Sequence, residues 1–311
     1  MNSNSNTKTK QCVILSGKGG TGKTSLAASL IHLSSQVVQG VYVDADVDAA
    51  NLALITKAIP QEKHRFSGSK LAVISPDECS LCGVCFEVCR YDAIRKPNQD
   101  TPSYQVIDLL CDGCAACVHA CPESAITMVI QEDGEWYHAI TPYGHLFHAE
   151  LFPAAENSGK LVTLIKQHAK LYAEDHQLPL MIVDGPPGIG CPVISACSGA
   201  DLALVVAEPG VSGIHDLERI IQTLVHFKIP VLICLNKANL YAEGTQAIRS
   251  FAASNGYQIC GEIPFDKVIP RAMVQAKPIT EFAPESAVSH AIQDIWSELH
   301  QTLFGKGIDD D

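Results

Sequence analysis

Five short, almost unbroken apolar runs set the rhythm of the chain: QCVILS (residues 11–16), GVYVDAD (40–46), LPLMIVDG (178–185), DLALVVAEP (201–209) and IPVLICLNK (229–237). Each is bounded by Gly, Pro or polar positions. Runs of this length without alternation fit strands buried on both faces, as in a parallel sheet. Between them lie stretches with helical spacing: TSLAASLIHL (24–33), SGKLVTLIKQHAKLY (158–172), GIHDLERIIQTLVHF (213–227) and SHAIQDIWSELHQTLF (289–304). This alternation predicts an α/β fold, a doubly wound and mostly parallel sheet that binds ligands at the carboxyl ends of its strands.

Residues 60–150 break the rhythm. Eight of the thirteen cysteines fall there, and Asp plus Glu outnumber Lys plus Arg thirteen to six. The segment also repeats itself: CSLCGVCFEVCRYDAI, from Cys79, aligns with CDGCAACVHACPESAI, from Cys111, 32 residues on. Two such units predict a small pseudo-symmetric α+β domain inserted after the second strand. The expected organisation is a core split into 1–59 and 151–311, with an insertion at 60–150.

Charge and composition narrow the function classes. The net charge of −12 opposes sequence-independent binding to nucleic acid, and 6% aromatic residues supply few stacking platforms. The opening MNSNSNTKTK lacks the apolar centre of a signal peptide, no window approaches a membrane-spanning length, and the tail GKGIDDD is acidic. Thirteen cysteines in so long a chain point to a reducing compartment, with thiols used for metal or catalysis. The expectation is a soluble cytoplasmic protein with no nucleic-acid or membrane partner.

The loop GKGGTGKT (17–24) satisfies G-x-x-x-x-G-K-[ST] between a strand and a helix. Its glycines let backbone N–H groups close around phosphate oxygens at a helix N-terminus. The nucleotide contacts expected here are Gly17, Gly19, Gly20, Thr21, Gly22, Lys23, Thr24 and Ser25. Lys23 would reach the outer phosphates and Thr24 a magnesium ion.

Each cysteine run has the spacing C-x2-C-x2-C-x3-C. Structural zinc sites more often use two separated C-x2-C pairs than four cysteines in one run. The spacing resembles the two-cluster bacterial ferredoxins, where the last cysteine of each run serves the other cluster. That resemblance implies one 4Fe–4S cluster on Cys79, Cys82, Cys85 and Cys121, and a second on Cys111, Cys114, Cys117 and Cys89. Pro122 follows the second run as in those ferredoxins; Arg90 stands at that place after the first. His119 is expected to be exposed rather than a ligand. Of the other cysteines, Cys12, Cys234 and Cys260 sit in apolar runs and read as small buried hydrophobes.

Lys18, directly after the first glycine, resembles the deviant phosphate loop of the MinD/ParA ATPases, a family that includes the nitrogenase iron protein. The resemblance implies that Lys18 crosses a dimer interface to the partner's nucleotide, and that ATP closes a homodimer or a pair with a paralogous ATPase. VDADVDAANL (43–52) is similar to the family's first switch, with Asp46 orienting the attacking water, Asp44 as the fallback, and Asp48 at the surface. In MIVDGPPG (181–188), Asp184 looks like the family's magnesium-coordinating aspartate. LNKAN (235–239) resembles the guanine-reading N-K-x-D sequence but has Asn239 in place of its aspartate, which favours ATP, with Asn236 as the base contact and Pro264 covering the base. Cys191, seven residues after Asp184, matches the offset of a cluster ligand in the nitrogenase iron protein; an intersubunit ligand, a redox or transfer thiol and a structural role all stay open.

Taken together, the chain resembles MinD-superfamily P-loop ATPases with an inserted ferredoxin domain, binding ATP, Mg2+ and two 4Fe–4S clusters. Three functions compete. The first is an ATPase that couples MgATP to electron transfer toward an unidentified redox partner. The second is an iron–sulfur carrier or scaffold, and the third a redox-sensing positioning ATPase.

Overall fold

The computed structural model describes residues 8–210 and 212–305; the first seven residues and the acidic end of the tail lie outside it. In chain order the elements begin with β1 (Lys10–Ser16), α1 (Lys23–Ser35), β2 (Gly40–Asp44), α2 (Leu52–Ile55) and β3 (Ile59–Phe66). The cysteine-rich stretch contributes β4 (Ser69–Ile74), α3 (Val84–Val88), β5 (Ile94–Arg95), β6 (Gln105–Val106), α4 (Ala116–Ala120) and β7 (Ile126–Gln131). Then come β8 (Gly134–Thr141), β9 (Gly144–Leu151), α5 (Ser158–Asp175), β10 (Leu180–Pro187), α6 (Cys191–Cys197), β11 (Leu202–Ala207) and α7 (Gly213–His226). The chain closes with β12 (Val231–Asn236), α8 (Ala242–Asn255), β13 (Gln258–Ile263), α9 (Val268–Val274), α10 (Ile279–Phe282) and α11 (Ala287–Phe304). No helix among the described residues is long and apolar enough to cross a membrane.

The five apolar runs become β1, β2, β10, β11 and β12. They sit inside a nine-stranded sheet of order β13-β12-β11-β1-β10-β2-β9-β8-β3. Pairing is parallel from β13 through to β9. Helices must cover such a sheet, and α1 does so with Leu26, Leu30 and Ile31, all nearly inaccessible, in one apolar cluster with Ile14, Ile182, Leu204 and Ile292. Because these strands run the same way, their carboxyl ends share one edge. Ser16, Asp44, Glu208, Asn236 and Pro264 all lie at or just beyond those ends, and Asp184, three residues before the end of β10, is level with Asp44.

On the other side of the sheet, Lys166 of α5 is buried at 6% exposure. Its ammonium donates to the carbonyls of Ser195, Ala196 and Ser198 at 2.9, 2.6 and 2.8 Å, capping the end of α6. Three carbonyl acceptors at a helix C-terminus are what make burial of that charge tolerable.

The smaller unit comprises Arg65–Glu135 and Leu151–Asn157. The expected insertion spans 60–150; by its contacts, Trp136–Glu150 groups with the larger unit, where β9 extends the sheet in parallel beside β2. The missed strands have unusual chemistry for a sheet. β3, IPQEKHRF, is exposed along nearly its whole length, β8 carries the half-buried His138, and β9 carries the half-buried His145 and the buried His148. They are joined to α5 by ring contacts instead of aliphatic ridges: Trp136 is stacked between His64 and His168, with centroids 4.2 and 4.3 Å away.

Within the smaller unit the sequence repeat is also a backbone repeat. Helices α3 and α4 are offset by the same 32 residues, and so are three pairs of residues with left-handed φ: Leu81 and Gly113, Gly83 and Ala115, Asp92 and Ser124. Gly113 is required twice over, since a Cβ there would lie 2.3 Å from the Lys70 carbonyl oxygen. β4 pairs antiparallel with β7, and β5 with β6.

One consequence concerns His148 on β9. It is 6% exposed, its ring nitrogens find no hydrogen-bond partner among the described residues, and it stacks on Tyr137 at 4.7 Å. Burial pulls its pKa down to about 4 from the ordinary 6.5. Between these values the unfolded chain takes up a proton that the folded chain refuses, so stability falls as pH drops from 6.5 toward 4. A His148→Phe variant is expected to keep the stack and flatten this acid limb, as read by urea unfolding across that pH range.

Candidate functional site

The loop between β1 and α1 is held by close approaches that only glycine permits. A Cβ on Gly17 would lie 2.3 Å from the Asp216 carbonyl oxygen, and one on Gly22 would lie 2.4 Å from Asn236 Nδ2. Gly20 and Gly22 also have left-handed φ values of 75° and 92°, and Gly22 is the residue from which α1 starts. The free N–H groups of the first turn therefore open toward the loop.

Lys23 stands in the first position of α1, 6% exposed, with Nζ donating to Ser16 Oγ at 3.0 Å. Burial lowers its pKa, while Asp184 and Asp46 pull it back up. Ser16 Oγ donates in turn to the carbonyl of Lys18 at 2.6 Å, so the lysine, the strand end and the loop form one chain of hydrogen bonds.

Three aspartates lie close together here in different roles, two of which, Asp46 and Asp184, act on this lysine. Asp44 is fully buried and accepts backbone N–H bonds from Asp46 at 3.2 Å and Leu52 at 3.0 Å, which makes it the brace of the turn after β2. Asp46 is half-buried and lines the cavity described below. Asp184 is fully buried, and neither of its carboxylate oxygens has a partner at hydrogen-bond geometry among the described residues, although the Thr24 hydroxyl is close enough to offset part of its burial. Desolvation raises the Asp184 pKa to about 7 and raises Asp44 well above the carboxylate range. A buried carboxylate without a hydrogen-bond partner, beside a threonine hydroxyl, offers oxygen donors of the kind that could hold a hard divalent cation.

A cavity of about 600 Å3 opens along this edge. Gly20, Lys23, Thr24, Asp46 and Asp48 line its polar end, while Ile263, Phe265, Ile269 and Met273 line an apolar end. Asn236 lies in the wall, but its amide is engaged. Its Nδ2 donates to the Thr21 carbonyl at 2.7 Å and its Oδ1 accepts from the Lys237 N–H at 2.9 Å, so it braces the phosphate loop. Asn239 Oδ1 accepts from the Phe265 N–H at 2.7 Å, tying down the segment next to Pro264, which is itself half-buried beside the cavity. Ser25 donates to Met273 Sδ at 3.4 Å.

Lys18 is placed unexpectedly. Its ammonium pairs with Glu208 Oε1 at 2.6 Å, and Lys237 pairs with the other oxygen at 2.7 Å. Glu208 escapes a sequence reading because nothing local distinguishes it from any acidic residue ending a strand. Cys191 is exposed at the start of α6, and Cys12, Cys234 and Cys260 are buried in the sheet.

In the smaller unit the eight cysteines divide between two pockets. One is lined by Cys79, Cys82, Cys85 and Cys121, together with Ile74 and Tyr104. The other is lined by Cys89, Cys111, Cys114 and Cys117, together with Tyr91 and Val106. Each pocket thus draws three cysteines from one run and the last cysteine of the other run. No group of three or more His, Cys, Asp or Glu side chains among the described residues is gathered closely enough to hold a single metal ion. His119 is exposed and does not line either pocket.

A family model of the CobQ/CobB/MinD/ParA nucleotide-binding domain matches residues 12–279. The chain belongs to this family. Two uncharacterized proteins of Methanocaldococcus jannaschii are similar to it. One is 35% identical over 290 residues, covering 93% of this chain and 96% of its own. The other is 29% identical over 225 residues, covering 72% and 78%. An iron–sulfur cluster carrier protein of Aquifex aeolicus is 28% identical over 141 residues, 42% of this chain and 39% of its own length. Among solved structures, the septum site-determining protein MinD of Pyrococcus horikoshii OT3, complexed with Mg-ADP, matches with a TM-score of 0.58 at 18% identity, covering 94% of this chain and 96% of that one. That last likeness shows the shared fold.

Membership in a nucleotide-binding family gives the loop geometry a direct test. Gly22→Ala places a methyl group against the Asn236 amide at a φ that disfavours any side chain. The variant is expected to break the Asn236–Thr21 bond and weaken binding of a fluorescent ATP analogue by tenfold or more, an energy of roughly 1.4 kcal/mol or above. Equal affinity would show that the loop adapts without this contact.

Proposed function

We propose that this chain is an ATP-binding iron–sulfur protein that couples MgATP binding and hydrolysis to electron transfer through two 4Fe–4S clusters, working as a dimer in a reducing cytoplasm. The observation that carries the reading is the crossed sharing of cysteines between two pockets in a chain that also has a complete phosphate loop. A thiol set of four around each pocket fits a polynuclear iron–sulfur group better than a single zinc ion, which needs its ligands gathered on one point. When bound, the clusters supply one-electron redox chemistry.

The larger unit would do the phosphoryl chemistry. Backbone N–H groups of Gly19 to Thr24 surround the phosphates, and Lys23 compensates their outer charge. Thr24 and Asp184 hold Mg2+; the partnerless Asp184 carboxylate supports this. Asp46 orients the attacking water, since Asp44 is committed to the backbone. Lys18 completes the partner subunit's site. Ile263 to Met273 receive the base, with Pro264 in the flanking segment and Asn236 supporting the loop.

The second reading, a carrier of clusters, draws on the named carrier of Aquifex aeolicus and on the exposure of Cys82 and Cys114. Loss of clusters to an apo-acceptor, at a rate set by MgATP, would favour it.

The main test is an anaerobic potentiometric titration followed by EPR, with and without MgATP. Coupling is expected to move a cluster potential by about 59 mV or more, equivalent to a tenfold change in ATP affinity between redox states. Unmoved potentials together with cluster transfer would turn the reading toward the carrier. The ligand sets have their own test by EPR and iron content. Cys121→Ser and Cys82→Ser should remove the same EPR signal and about four of eight irons, while Cys89→Ser removes the other signal.

A further inference from the structure

We propose that Glu208 is a positioning residue that parks Lys18 on its own subunit, so that a nucleotide phosphate must compete for this lysine before it can act elsewhere. The inference rests on the reading above that Lys18 serves the nucleotide of a partner subunit. Its own evidence is separate and lies in the geometry around the carboxylate.

Each oxygen of Glu208 takes one lysine: Lys18 Nζ lies 2.6 Å from Oε1 and Lys237 Nζ lies 2.7 Å from Oε2. The carboxylate is well placed to hold still. It follows directly on β11, its own carbonyl accepts from the Gly210 N–H at 2.8 Å, and Gly213 packs so closely that a Cβ there would lie 2.3 Å from the same oxygen. Burial would raise its pKa, but the hydrogen bonds and charges of the two lysines hold it below the ordinary value, so it stays ionised.

The two lysines are held differently. Lys237 has a second acceptor, the Gly20 carbonyl at 3.0 Å, and so bridges Glu208 to the phosphate loop. The Lys18 ammonium has Glu208 as its ion-pair partner, while its backbone carbonyl is fixed by Ser16 Oγ at 2.6 Å. The backbone of Lys18 is therefore pinned, and its side chain is held at the tip. Two ammonium groups on one carboxylate leave one positive charge unmatched within this trio, beside the phosphate loop. A phosphate carries more charge than a carboxylate and offers more acceptor oxygens, so it can take Lys18 from Glu208 while Lys237 keeps its hold on the loop.

Amine-reactivity footprinting tests the pairing directly. The full-length protein is treated with a limiting acylating reagent, and Lys18 modification is read by mass spectrometry without nucleotide and with a non-hydrolysable MgATP analogue. Without nucleotide, Glu208→Gln is expected to make Lys18 several-fold more reactive, and Glu208→Asp, which keeps the charge, to restore most of the protection. In steady-state hydrolysis, Glu208→Gln should lower the KM for MgATP by about tenfold with a much smaller change in kcat, the size of one charge-assisted hydrogen bond.

Equal Lys18 reactivity in the wild type and Glu208→Gln would overturn the proposal. So would a reactive Lys18 with an unchanged KM, because Glu208 would then be an ion pair with no influence on the nucleotide. Light scattering with the MgATP analogue separates the two levels. Altered reactivity and KM in a chain that stays monomeric would keep Glu208 as the competitor for Lys18 and remove the partner-subunit reading.

Discussion

Three aspartates, Asp44, Asp46 and Asp184, crowd one part of the carboxyl edge of the large sheet with Lys23 as the buried cation near them. Asp44 and Asp184 are fully buried, Asp46 is half-buried, and Lys23 is the buried cation among them. Buried charge of one sign is costly unless it is paired or coordinated. Asp44 resolves this through two backbone N–H groups, while Asp184 is left with no hydrogen-bond partner among the described residues. The crowding follows from the strand order β1-β10-β2, which sets Asp184 in register with both Ile14 and Asp44, and the carboxyls answer it by raised pKa values. A bare buried carboxylate beside a threonine hydroxyl has the chemistry that suits a hard cation.

The neighbouring strands extend the same logic outward. β11 ends at Glu208 and β12 at Asn236, and both side chains reach back to the phosphate loop or its lysines. On the far side, α6 begins at Cys191, a few residues beyond Asp184, and its other end is fixed by the buried ammonium of Lys166. The segment from Asp184 to Ser198 is thus anchored at both ends and exposed near its middle.

The smaller unit has a different basis. Its apolar cluster is short of aliphatic residues: Ala72, Ile74, Cys85, Ile94 and Ile126, with other cysteines packed around them. So small a core contributes little stability by itself. The repeated left-handed positions at 32-residue spacing show why the two cysteine runs have equivalent loops: the same backbone turn is made twice, at Leu81 and Gly83 and again at Gly113 and Ala115.

The chain alone determined the parallel core, the phosphate loop and the repeat of cysteines, because each is encoded locally. Five apolar runs are strands buried on both faces, glycines mark left-handed turns and close approaches, and a cysteine spacing is read directly. Tertiary structure decided the rest. β3, β8 and β9 join the main sheet although the first is exposed and polar and the others place histidines at half-buried and buried positions, so no hydrophobic pattern announced them. Long-range pairing also set which aspartate braces the backbone and which is left bare, and it gave Asn236 to the Thr21 carbonyl. Glu208 is the sharpest case, since it meets Lys18 and Lys237 only because parallel strands far apart in the chain end on the same edge. Local pattern specifies what a segment can become; which charges meet depends on the order in which the strands assemble.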